Sequence, residues 1–370
     1  MTPTASLTKP NFIFRRETLL FALLGVIVAF VLTRWTVAQP NYTDAYYHFN
    51  AATRLVSGQG LTDAYLWNYI NAPQSLAPGE VVPSHTYWMP LTSLSAALGM
   101  WLLNAPGNYA AAQWPFALML AATTVSGFWL GHRLGGTRRH TWVAGLVTLF
   151  SGFFTRFWGA SDTFASYAIA GALSLIFIGL GVQALHMRQH QRMYLWFALA
   201  GVAAGFGHLA RADGLLLLLV GGIVILWPWD VRRNPLIGLR VGAVMMLLTG
   251  YVLVMLPWFV RNLNAVGSPL PIGGFQAAWF TEYNDLFSYP ADASPATLFA
   301  NGLGAFLESR WSALTNNVGT LVAVEGLIVM TPFMLLSLWK RRQDSFLRGF
   351  WLYALGLHVA MTLVFPFPGY

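Results

Sequence analysis

RRETLLFALLGVIVAFVLTRWTVAQPNYTDAYYHFNAATRLVSGQGL, residues 15–61, decides the fold class. Its apolar run from residue 18 to about 36 matches the ~20 residues that cross ~30 Å of hydrocarbon at 1.5 Å per residue. No small-x-small cleavage site follows before the polar stretch at 39–44, so the run reads as a retained first span and not as a removed signal peptide. Lys9, Arg15 and Arg16 precede it, which sets the N-terminus in the cytoplasm by the positive-inside rule. Segment 37–87 then lies outside. It is polar, rich in Pro, Asn and Tyr, and long for a connection, a combination typical of functional loops.

Working outward, the whole chain has the same character. Of its 370 residues 56% are hydrophobic and only 9% charged, against about a quarter charged in soluble domains. A water-soluble fold is excluded, and an all-α polytopic membrane bundle is expected. Crossings are expected at 18–36, 109–130, 141–158, 163–185, 193–209, 213–229, 238–259, 318–339 and 347–366, about nine in all. Residues 88–103 form a short apolar stretch beginning near Pro90. If it crossed fully, the basic loop around Arg133, Arg138 and Arg139 would be pushed outside, so it is expected to be a short, partly inserted helix. With this arrangement 15 of the 21 Lys and Arg fall in cytoplasmic loops, and nine of the 13 acids fall outside or at the outer boundary.

The net charge of +8 comes from short clusters between apolar runs and makes no single basic face, which argues topology and against a nucleic-acid partner. Cysteine is absent, which removes disulfides and thiolate metal sites. The 16 Trp and 14 Tyr suit interfacial belts and sugar stacking alike. No internal repeat is visible. The chain stops at Tyr370 directly after a span without a polar tail, and a further C-terminal part is expected.

Five constellations carry chemistry. In 42–61 the apolar positions Ala45, Phe49, Ala52, Leu55 and Val56 recur at helical spacing, so 44–57 reads as an amphipathic helix at the outer interface, ended by Gly58. Asp44 stands at its start, either as an N-cap or as a carboxylate that takes a proton from a substrate hydroxyl or holds a divalent cation, with His48 one turn on. In 83–94 His85 sits beside an aromatic pair, as an interfacial hydrogen-bonding residue or a ligand. Asp162 lies in the tight outer turn before 163–185, as a helix cap or as the second acid of a metal or acid/base pair. In 207–219 His208, Arg211 and Asp213 share an outer turn, where Arg211 pairs with Asp213 or with a phosphate. In 256–274 Arg261 emerges at the outer end of a span, suited to a lipid phosphate or snorkelling to the interface. Glu325 is the acid drawn within a span, near its outer end.

The succession of an outer D-A-Y-Y-H-F helix with G-x-G-L, then Y-W-M-P-L, S-D-T-F, R-A-D-G-L-L-L and L-P-W-F-V-R-N-x-x-x-x-G-S-P-L-P resembles the membrane glycosyltransferases of the GT-C fold. The nearest groups are the family 39 protein mannosyltransferases and the bacterial polyprenyl-phosphate-sugar transferases. The resemblance spans nearly the whole chain and implies one transmembrane module over 1–370, with outer loops at 37–87 and 260–316. It implies inverting sugar transfer from a polyprenyl-phosphate donor to a protein, lipid or glycan acceptor at the outer face. It further implies Asp44 as base, Asp162 as an acceptor- or metal-binding acid, and Arg261 as a donor-phosphate residue, with Arg211 a further candidate. The acidic pair common in the family's first loop is here Asp44 followed by Ala45, which weakens the case for a divalent cation. A transporter or lipid flippase, and a non-catalytic envelope scaffold, stand as the competing classes.

Overall fold

The computed structural model describes residues 12–40, 42–64, 81–150, 163–227, 237–270, 279–280, 285, 293–326 and 328–364. The chain is helical almost throughout, as the composition requires of a chain that must satisfy its own backbone in lipid. Six helices among the described residues are long and apolar enough to cross a membrane: Arg16–Trp35, Tyr109–Gly135, Phe164–His186, His190–Ala210, Ile237–Val266 and Ser345–Leu363. The chain divides into two compact units, Met1–Leu61 with Leu91–Ala172, and Thr62–Pro90 with Leu173–Tyr370.

The first unit is built on α1 (Phe12–Thr36), α2 (Thr43–Val56), α3 (Leu91–Leu102), the short α4 (Tyr109–Ala112), α5 (Trp114–Gly135) and α6 (Arg138–Leu149). Two polar clasps fix how α1 lies against the α5–α6 pair. Near the start of α1, Glu17 pairs with Arg138 and accepts from Trp142 Nε1 at 3.2 Å. Past its end, the Val37 carbonyl accepts from Gln113 Nε2 at 2.7 Å. The two helices are therefore antiparallel, and the chain between them leaves and returns at one end. α3 has 12 residues, about 18 Å of helix, too short to cross ~30 Å. The short helix expected within 88–103 is thus found, and the start of α1 shares its end of the unit with the basic turn at 133–139. Between the clasps, Phe21 stacks on Phe128 with centroids 4.7 Å apart, and Trp142 meets both edge-on, each pair worth ~0.5–1.5 kcal/mol beyond area burial.

The second unit holds a two-stranded antiparallel ribbon, β1 (Thr62–Asp63) with β2 (Val82–Pro83), and most of α7 (Thr163–His186). Then follow α8 (His190–Ala210), a 3-10 turn (Ala212–Gly214), α9 (Leu215–Leu226), α10 (Ile237–Val266), α11 (Pro295–Leu298), α12 (Gly302–Thr320), α13 (Thr331–Lys340) and α14 (Ser345–Leu363). Helices embedded in lipid gain little from apolar burial and associate through close packing at small residues. α8 and α10 do so: a Cβ on Gly201 would meet the Leu247 carbonyl, and one on Gly250 the Ala198 carbonyl. Arg240, buried at the start of α10, donates to the carbonyls of Ile225, Leu226 and Trp227 at 2.9–3.1 Å. It thereby caps the C-terminal end of α9, whose last carbonyls lack helical partners.

The stretch 318–339 differs from the continuous span expected. α12 ends at Thr320, a π-helical turn runs over Leu321–Glu325, Ile328 takes φ +57°, and α13 begins at Thr331. Gly326 weakens the helix, and Pro332, second in α13, removes an amide donor and clashes with the turn before it. A hydropathy window passes over both residues. Of the other expected crossings, 141–158 coincides with α6 as far as Leu149, its remainder lying outside the described residues, and 213–229 with α9; each of these helices has 12 described residues and, like α3, is shorter than a full crossing. α10 runs past residue 259 to Val266, so Arg261 lies on the helix and not in the loop beyond it.

Candidate functional site

In the first unit the chain leaves α1 and re-enters helix at Thr43. Tyr42, extended at φ −156°, holds the N-cap position and makes no side-chain cap bond. Asp44 therefore sits within the first turn, and the N-cap role considered for it is not the one it plays. Its half-buried carboxylate lies where the positive end of the helix dipole favours an anion. Ser57 caps the other end, and Gly58 and Gly60 turn the chain away at φ +78° and +72°.

One turn on, His48 is fully buried and shares a 2.9 Å hydrogen bond between Nδ1 and Ser93 Oγ of α3. Burial lowers its pKa from 6.5 to about 3, so the imidazole is neutral at physiological pH. α2 is further seated on α3 by a Thr53 Oγ1 to Met100 Sδ contact at 3.9 Å, and Phe49 meets Tyr109 edge-on at 5.2 Å. A neutral, packed histidine behind a half-buried carboxylate makes α2 a fixed platform for one acid.

In the second unit, α10 presents Trp258, Arg261 and Asn262 within its last third. Trp258 and Arg261, three apart, share a face, with the guanidinium 4.9 Å from the indole centroid. Arg261 Nη2 donates to the Ser84 carbonyl and Nη1 to Asn262 Oδ1, each at 2.9 Å. Asn262 Nδ2 in turn donates to the Pro269 carbonyl at 3.3 Å. The residues just after β2 are thus pinned to the end of α10. His85, 1% exposed, adopts φ +60°, shares a 2.7 Å hydrogen bond between Nδ1 and Ser84 Oγ, and sets its ring edge-on to Trp258 at 6.1 Å. A non-glycine residue in this left-handed region is uncommon and concentrates at functional sites.

Arg211 makes the ion pair weighed for it, Nε to Asp213 Oδ1 at 3.0 Å and Nη2 to Oδ2 at 3.4 Å. That pairing competes with a phosphate for the same guanidinium. His208 is buried against Tyr251, Nδ1 to the phenol oxygen at 2.6 Å with the rings stacked 5.9 Å apart, a packing contact between α8 and α10. Asp162 lies outside the described residues, as does the side chain of Glu325, whose backbone closes the π-helical turn. Among the described residues no group of three His, Cys, Asp or Glu is arranged to hold a metal ion. Arg261 is thus brought together with His85, whereas Asp44 and His48 belong to the other unit. The sequence reading missed Ser84, Ser93 and Trp258, of which only Trp258 left a signal, the i, i+3 spacing before Arg261.

No protein-family model matches this sequence, and no curated protein matches it. Among the solved structures that match are two of the oligosaccharyltransferase of Archaeoglobus fulgidus. The apo form shares 12% identity at a TM-score of 0.51, over 95% of this chain and 51% of that one. The complex with Zn and sulfate shares 12% identity at 0.45, over 94% and 50%. The chain therefore spans about half the length of the proteins it matches. The likeness of the first supports the GT-C fold that the sequence motifs resemble.

Proposed function

We propose that this chain is a membrane glycosyltransferase that moves a sugar from a polyprenyl-phosphate donor to an acceptor hydroxyl at the extracytoplasmic face, with inversion at the anomeric carbon. The observation that carries the reading is Asp44, a half-buried carboxylate in the first turn of the helix that follows the first span. In this reaction Asp44 takes the acceptor's hydroxyl proton, the freed oxygen attacks the anomeric carbon, and the bond from that carbon to the donor phosphate breaks. The electron pair leaves with the phosphate, whose growing charge calls for a cation, the role for which the W-x-x-R-N resemblance nominates Arg261. Fold likeness to an oligosaccharyltransferase agrees with chemistry on a lipid-linked sugar. The basic clusters flanking the spans favour an outward-facing site in the cell membrane. The resemblance nominates Asp162 to bind the acceptor or a divalent cation.

The test is transfer of labelled sugar from a panel of polyprenyl-phosphate sugars by purified protein. Asp44→Asn is expected to lower transfer by roughly 10²–10⁴-fold, the usual share of a general base, at unchanged protein yield. Transfer within threefold of the unaltered protein would end the assignment. One observation favours transport instead, the interrupted helix at 321–330, since transporters bind substrate at broken helices. Movement of labelled lipid across a vesicle bilayer, insensitive to Asp44→Asn and without covalent transfer, would establish that reading.

A further inference from the structure

An indole N–H is a donor and accepts nothing in return. A buried donor without an acceptor bears the full cost of losing its water, so buried indoles as a rule find a partner. Trp258, 5% exposed in the last third of α10, has none: its Nε1 makes no hydrogen bond. Trp351 of α14 shares that condition, but it is only half-buried and belongs to no cluster described above. Trp258 stands in the middle of one.

Its neighbours identify what would complete it. The half-buried Arg261 guanidinium lies 4.9 Å from the indole centroid, and His85, held at φ +60°, sets its ring edge-on to the indole at 6.1 Å. Two acceptors of this cluster, the Ser84 carbonyl and Asn262 Oδ1, are each engaged by Arg261 at 2.9 Å. What the indole meets is therefore a cation and no carbonyl of its own. A tryptophan that stacks on a sugar must lend it an open ring face. Here the guanidinium lies over the ring and the side chain is buried, so the indole offers its N–H edge and not a platform. The group that suits an N–H beside a fixed positive charge is an anionic oxygen, and a phosphate carries several on one atom, enough to engage indole and guanidinium together. Two hydrogen bonds of ~2.9 Å, one on each side of a phosphate, reach past the 4.9 Å between the ring and the guanidinium.

We propose that Trp258 Nε1 donates to a phosphate oxygen of the lipid-linked donor, beside Arg261. The proposal deepens the function given above and rests on it for the identity of the phosphate. An N–H adds direction without adding charge. The oxygen it holds stays in place while the bond to the anomeric carbon breaks and the electron pair passes to the phosphate.

The experiment uses purified full-length protein in mild detergent, isotopically labelled at the indole nitrogens, with farnesyl phosphate as probe and farnesol as its uncharged control. In proton–nitrogen correlation spectra the Trp258 indole signal, identified by its loss in Trp258→Phe, is expected to move downfield as farnesyl phosphate is added and to stay in place with farnesol. Trp258→Phe keeps an aromatic ring and loses the N–H, and is expected to bind farnesyl phosphate roughly 10- to 150-fold more weakly, the share of one hydrogen bond to a charged group. Should Trp258→Phe fail to fold, benzothienylalanine in place of Trp258, which exchanges the N–H for sulfur in a ring of the same shape, serves in both measurements. An indole signal indifferent to farnesyl phosphate, an equal response to farnesol, or an affinity of the variant within threefold of the unaltered protein would overturn the proposal. Phosphate binding that depends on the N–H, in a protein that transfers no sugar, upholds the donor and ends the transferase reading. Sugar transfer by a protein whose phosphate affinity ignores Trp258→Phe does the reverse.

Discussion

Arg261→Lys separates charge from geometry at the end of α10. Arginine there makes two hydrogen bonds, to the Ser84 carbonyl and Asn262 Oδ1, and covers the Trp258 ring. Lysine preserves the positive charge but, as a single ammonium on a flexible stem, loses one of the two bonds and the planar stack. A hydrogen bond from a charged donor contributes about 1.5–3 kcal/mol, and a partly exposed cation–π contact about 0.5–1 kcal/mol. Because a weaker ammonium bond survives, the net loss is near 2–3 kcal/mol, or roughly 30- to 150-fold at 1.4 kcal/mol per decade. That figure is the cost to the junction between α10 and the residues after β2; if the guanidinium also stabilises the departing phosphate, steady-state transfer kinetics will show kcat lowered by roughly 10²–10³-fold, the usual share of one charge-stabilising donor, with donor KM little changed. A rise in KM at constant kcat would mean that Arg261 binds donor and transition state alike. A kcat/KM within threefold of the unaltered protein would refute the role altogether, since neither the bonds nor the stack would then matter to transfer.

Two further outcomes follow from the packing. His48 has its pKa depressed to about 3 by burial against 6.5 unfolded, so between those values the unfolded chain binds more protons and stability falls as pH drops. The unfolding temperature of the unaltered protein should decline from about pH 6.5 downward, and His48→Gln, which does not titrate, should flatten that decline; equal slopes would discount His48. Arg240→Met removes the cap on three carbonyls at the end of α9 and should destabilise the purified protein by about 3 kcal/mol or more, seen as a lower midpoint in chemical unfolding; an unchanged midpoint would show that the bonds contribute nothing net.

The sequence was most readable where one physical demand dominates. Hydrophobic length revealed α1, α7, α8, α10 and α14, and the periodicity of Ala45, Phe49 and Ala52 located α2 within a residue or two. Charge placement anticipated the short α3, because it argues about sides of a membrane and needs no packing detail. Hydropathy failed at 318–339, where Gly326 and Pro332 interrupt a helix without lowering the apolar average. Of the two readings open for Asp44 the structure removes the N-cap, since Tyr42, two positions earlier, takes the cap through backbone conformation, which side-chain preference does not reveal. The bonds to Ser84 and Ser93 were invisible in the sequence. They join residues 177 and 45 positions apart, and serine is common enough to leave no trace of its partner.

The paired clasps on α1 also constrain motion. A rod riveted near both ends, at Glu17 to α6 and at Val37 to the start of α5, cannot slide like a piston along that pair without breaking one fastening or the other. The Asp44 carboxylate inherits that restraint twice over, because α2 is itself bolted to α3 through His48 and Thr53, so moving the acid relative to α5 means prising α2 from its seat.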